Sequence, residues 1–213
     1  FKKSSTSEDA SNFFMHIVKD LILEPDKLDI KSIMIELQKF RAEIRRSLED
    51  GESKYLTIGS AKELNAYADP EKMQGIRGAL AWNILYPDKV VELPTKLSIL
   101  KTNIYSLDTI SDLQKTDPQL YQRIKTGIFE DQTGMFIKHN KKSGKTVVEG
   151  LSVLGIPRGQ RIPEWITPYI DYNTVINSVL APFKSVTETF NMPSIEEGRT
   201  GKKTTGFSNI IKI

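Results

Sequence analysis

Cysteine is absent, and histidine occurs only twice in 213 residues, at His16 and His139. Disulfides and thiolate metal sites are therefore excluded, and little material remains for a zinc centre or a Ser-His-Asp triad. No run approaches the roughly 18 uncharged apolar residues that a membrane-spanning helix needs. The opening residues, Phe1 followed by a polar stretch, carry no signal-peptide pattern. Charge of one sign is also scarce: 30 Lys and Arg against 27 Asp and Glu leave a net +3, too little to mark a nucleic-acid binder by bulk charge. The chain does have the means to build a core, with 38% hydrophobic and 8% aromatic residues, ordinary values for a globular protein.

The distribution of charge says more than its sum. Lys2 and Lys3 open the chain, and Lys138, Lys141, Lys142 and Lys145 surround His139. Arg158 and Arg161 flank a glycine, and Arg199, Lys202, Lys203 and Lys212 load the tail. Such clusters are either solvated loop tips or phosphate contacts.

Ala10, Phe13, Phe14, Ile17, Val18, Leu21 and Ile22 recur at three-and-four spacing and predict an amphipathic helix. Ser5 with Glu8, and Thr6 with Asp9, each fit a capping box at its start, and Pro25 stops it. A second helix is expected from Asp29, with Ile30, Ile33, Met34, Leu37, Phe40, Ile44 and Leu48 inward and Gly51 at its end. Strand candidates are Tyr55 to Ile58, Leu97 to Ile104 and Val153 to Ile156, with helices around Met73 to Tyr86 and Pro118 to Ile128. Met135 to Lys138 and Thr146 to Val148 bracket a hairpin with a basic tip, Asn140 to Gly144. A last helix starts after Asp171, and Pro182 inside its pattern predicts a kink or break. The fold class is thus α+β, amphipathic helices at both ends with a small antiparallel sheet between them.

Familiar catalytic patterns are missing. Ser143-Gly144-Lys145-Thr146 imitates the end of a P-loop, but His139 stands where that motif needs a glycine, and a hairpin turn accounts for it. Two-metal phosphoryl transfer needs carboxylates held about 4 Å apart. The acidic pairs here, Glu8-Asp9, Glu49-Asp50, Glu130-Asp131 and Glu196-Glu197, fall at helix ends, turns or the tail, where negative charge is ordinary. No residue is assigned a catalytic or metal-binding role.

Four segments, in order, resemble the C-terminal region of T-even-phage-type family B replicative DNA polymerases. They are Lys3-Ser4-Ser5-Thr6-Ser7, Ile76-Arg77-Gly78-Ala79-Leu80-Ala81-Trp82-Asn83, Gly155-Ile156-Pro157-Arg158-Gly159 with Ile162-Pro163, and Tyr169-Ile170-Asp171-Tyr172 with Pro182. Ser7 stands where the family has proline, and either residue can start a helix. The resemblance implies residues 1–9 leading from palm to thumb, a thumb domain over 10–192, and a flexible tail over 193–213. A thumb holds primer-template duplex without reading its sequence, so phosphate and minor-groove contacts are expected of it. The implied DNA contacts are Lys2, Lys3, Ser4, Ser5, Thr6, Ser60, Lys62, Arg77, Lys138, Lys141 and Lys142. For Lys3 to Thr6 the alternative is a plain helix cap, and for Arg77 an ion pair with an acid. Phe207, Ile210 and Ile211 stand where such polymerases carry a peptide for the sliding clamp.

The family's catalytic aspartates lie on the palm, so the resemblance implies a chain inactive alone. Its expected partner is a palm- and exonuclease-bearing polymerase chain that holds the magnesium, in a split polymerase or a longer one of which this is a piece. No membrane partner is expected, and the implied location is the cytoplasm of an infected bacterial host. Two other readings are a stand-alone double-stranded DNA-binding replication accessory protein and a structural interaction protein without a nucleic-acid role. The stretch from Leu97 to Thr133 has no role assigned by the resemblance.

Overall fold

A computed structural model describes residues 5–23, 30–139 and 146–184. In chain order the elements are α1 (Glu8–Leu23), α2 (Ile30–Glu49), β1 (Thr57–Ala61), α3 (Gln74–Leu85), β2 (Thr95–Ile104), α4 (Leu113–Thr116), α5 (Pro118–Ile124), β3 (Ile137–His139), β4 (Thr146–Val148), β5 (Leu151–Pro157) and α6 (Tyr172–Leu180). The fold is α+β with a small three-stranded antiparallel sheet in the order β1-β2-β5, and β3 pairs with β4 in a separate antiparallel ladder. The chain divides into two compact units, one of residues 1–57 with 172–213 and one of residues 58–171.

In the first unit, aromatic residues at helical spacing converge. Phe13 stacks on Phe40 at 3.8 Å between ring centroids, Phe14 stacks on Phe183 at 5.6 Å, and Tyr55 meets Phe40 edge-on at 5.2 Å. Phe14, Phe40 and Phe183 are fully buried, each contributing roughly 2–3 kcal/mol by area removed from water. Gly51, at φ 74°, closes α2 as a Schellman cap: its N–H donates to Leu48 C=O and that of Glu52 to Ser47 C=O. Pro182 acts as a break, since α6 ends at Leu180 and a 3-10 turn follows over Ala181–Phe183.

The structure departs from the sequence pattern at two points. The cap of α1 is neither Ser5 nor Thr6 but Ser7, whose Oγ accepts the Ala10 N–H at 3.3 Å. The strand expected at Tyr55 to Ile58 starts at Thr57 and runs to Ala61. Tyr55 and Leu56 are buried in the turn before it, because the aromatic cluster takes the tyrosine ring and its hydroxyl donates to Glu43.

In the second unit, α3 lies across the sheet, and Ile76 and Ala79 pack on Leu97, Ile99, Val153 and Ala61. Contact is backbone to backbone at one point. A Cβ on Gly78 would stand 2.8 Å from the Gly155 nitrogen, so both positions must be glycine for the helix to reach the strand. β2 and β5 pair from Leu97↔Pro157 to Lys101↔Val153, then slip by a bulge before Ile104↔Leu151. At the bulge the Thr102 hydroxyl donates to Leu151 C=O, which satisfies a group that the ladder leaves over. The stretch without an assigned role forms β2, the pair α4 and α5, and a π-helical turn at Lys125–Phe129. Arg123 of α5 donates to Leu85 C=O at 2.7 Å and so caps the C-terminus of α3.

Candidate nucleic-acid interface

Because Ser7 takes the capping role, the two hydroxyls before it are not consumed by the helix. Ser5 is exposed and Thr6 half-buried, and both line a cavity of about 140 Å³ in the first unit together with Tyr55, Thr57 and Ser178. Thr6 Oγ1 is shielded from solvent and has no hydrogen-bond partner. A buried hydroxyl without a protein partner is ordinarily satisfied by an ordered water. Burial and the adjacent Glu43 push the Tyr55 hydroxyl pKa well above its ordinary value, so it stays neutral. Lys2, Lys3 and Ser4 lie outside the described residues.

The second unit carries Ser60, Lys62 and Arg77. Ser60 and Lys62 are exposed at the end of β1. The first turn of α3 sits directly on this strand, since a Cβ on Gly75 would be 2.3 Å from the Ser60 carbonyl oxygen. The N-cap residue of α3, Met73, offers no side-chain hydrogen bond, and Gly75 and Ile76 of that first turn are buried.

Arg77 behaves differently. It is 9% exposed, pairs with Glu149 and donates to Ser152 Oγ at 2.9 Å. This geometry commits its guanidinium to the interior of the unit, in the ion pair that was the alternative to a phosphate contact. Lys101 was not singled out by sequence. It lies in β2 near Arg77, and burial, then repulsion from Arg77, push its pKa down to about 8 against the opposing pull of Asp171. The available signal was the alternation Leu97, Ile99, Lys101, which puts a lysine on the buried side of a strand.

Of the hairpin lysines, Lys138 lies in β3, paired with Val147 of β4. Lys141 and Lys142 lie outside the described residues, as do Phe207, Ile210 and Ile211. Among the described residues there is no group of three or more His, Asp or Glu placed to hold a metal ion, and no helix long and apolar enough to cross a membrane. Ser5 in the first unit and Ser60 and Lys62 in the second are exposed, and hydroxyls and lysines bind phosphate without distinguishing bases.

Comparison with known proteins adds an independent observation. A search of curated proteins finds no match. A family model described as divergent family B DNA polymerase matches residues 2–201, nearly the whole chain and all four segments that carry the resemblance. The chain belongs to the divergent family B DNA polymerases.

Proposed function

We propose that this chain is the thumb part of a T-even-phage-type DNA-directed DNA polymerase, gripping primer-template duplex behind an active site that a palm-bearing chain supplies. In this reading the palm-bearing chain holds the carboxylates and the magnesium, and the present chain alone does not extend primers. Its contribution is processivity, because a duplex held by its phosphates dissociates more slowly between additions.

The observation that carries the proposal is the position of the α1 cap. With Ser7 closing the helix, the Ser5 and Thr6 hydroxyls are not used as its cap, which supports a phosphate-contacting role for them and for Lys2, Lys3 and Ser4 before them in the chain. Ser60 and Lys62, exposed at the end of β1, extend the same chemistry to the second unit, and Lys138, Lys141 and Lys142 complete the proposed contacts. The tail, with Phe207, Ile210 and Ile211, is proposed to dock on a sliding clamp.

Primer extension tests this with the chain, the palm-bearing polymerase chain, and the two mixed. Longer products only in the mixture, shortened by Lys3→Ala, are the expected result. If the two chains neither associate nor change each other's products, the reading fails.

A further inference from the structure

We infer that one end of the three-stranded sheet is an additional phosphate-binding row, in which Lys62, Lys96 and Arg158 take successive phosphates of one strand of duplex DNA. This rests on the proposed grip and adds Lys96, and it turns Arg158 from one member of a basic cluster into a specific contact.

Antiparallel pairing brings the three together. β2 and β5 are in register at Leu97↔Pro157, so Lys96 and Arg158 form the next pair outward. β1 is placed by Gly59, where a Cβ would meet the Ile99 side chain at 2.6 Å. Lys62 lies three residues after Gly59 and Lys96 three before Ile99, so β1 ends at the edge where β2 begins. Each strand therefore delivers one cation to the same end of the sheet. Neighbouring strands stand about 4.8 Å apart, so the outer two cations are anchored roughly 10 Å from each other. Successive phosphates of one DNA strand rise about 3.4 Å along the axis while stepping around it, and the long Lys and Arg side chains reach outward from this span to meet them.

All three side chains are exposed, and none has an ion-pair partner among the described residues. That includes Glu63 and Glu92, acids close to Lys62 and Lys96 along the chain. Arg158 sits in a tight turn closed by Gln160 N–H donating to Pro157 C=O at 3.0 Å, so the row stands on fixed backbone. Cations without an existing ion pair break none when a phosphate arrives.

The test titrates the full chain with a labelled duplex, and with the matching single strand, over a series of salt concentrations. Wild type is compared with the Lys96→Ala/Arg158→Ala double variant, which keeps Lys62 and every residue of the lead-in. Losing two phosphate contacts lowers the slope of log K against log salt on duplex by about 1.8, while Lys96→Arg/Arg158→Lys retains it. Both positions are exposed, so thermal unfolding of the variants stays unchanged. An unchanged duplex slope in the alanine variant overturns the inference. So does a loss confined to the single strand, or a wild-type chain that does not bind duplex at low salt. Primer extension with Lys3→Ala reads the lead-in separately, so failure of the row and failure of the grip are distinguishable.

Discussion

Two basic side chains in the second unit, Arg77 and Lys101, show how far burial changes what a cation can do. Arg77 is neutralised by Glu149, whereas Lys101 is left with a pKa of about 8 by burial and by Arg77, despite Asp171. The unfolded chain keeps the Lys101 proton up to its ordinary value near 10.5, so between about pH 8 and 10.5 it binds more protons than the folded chain. Stability from this group therefore rises with pH across that window. Burial also raises the hydroxyl pKa values of Tyr55, Tyr86 and Tyr172, which costs stability above about pH 10, where unfolded tyrosines ionise. The expected result is a melting temperature that climbs from about pH 8 to 9.5 and then turns over. Lys101→Met should abolish the climb and, at neutral pH, stabilise the chain on the order of 1 kcal/mol, after discounting the part of the side chain that solvent still screens. A flat wild-type profile over this range would show that Lys101 stays solvated.

Helix boundaries were largely legible because they follow local chemistry. Gly51 ends α2 through its left-handed conformation, and Pro182 ends the regular part of the last helix, both as the residue types dictate. The start of α1 was ambiguous for an equally local reason: Ser5, Thr6 and Ser7 are all competent caps, and only the exit direction of the chain chooses among them. Close approach of elements was not legible. Gly78 looks like a weak point in a helix, yet it permits α3 to touch β5 at Gly155. Gly78→Ala gains about 1 kcal/mol of helix propensity but drives a Cβ to 2.8 Å from backbone nitrogen and 3.0 Å from the Gly155 Cα. A net loss of about 2 kcal/mol is expected in denaturant melts, and a neutral or stabilised variant would mean that the helix stands further off than the structure has it.

At the scale of the molecule, the chain leaves the first unit after Thr57 and returns to it at Tyr172. Both ends of the intervening unit lie against the same part of β2. Thr102 bridges to Ile170, the Asp171 N–H donates to Lys101 C=O, and Gly59 rests on Ile99. A unit whose ends meet on one strand has its own closed core and resembles an inserted domain. Residues 58–171 expressed alone should therefore unfold cooperatively and keep near-ultraviolet circular dichroism from Trp82 and Trp165. A fragment without a cooperative transition would show that its core needs the rest of the chain.

Local periodicity and residue chemistry were enough for the amphipathic helices, the hairpin ladder and the α+β class, and four ordered segments were enough for the polymerase family. The resemblance also named Ser60 and Lys62 as contacts, and both are exposed. Tertiary structure alone decided which cation faces inward. Arg77 and Lys62 are equally basic on paper, and the difference is made by Glu149, 72 positions along the chain from Arg77. The same holds for the row formed by Lys62, Lys96 and Arg158, whose members are separated by tens of residues and meet through strand register. Local patterns constrain each element because neighbours along the chain always interact, whereas register and burial depend on partners that a linear reading does not place.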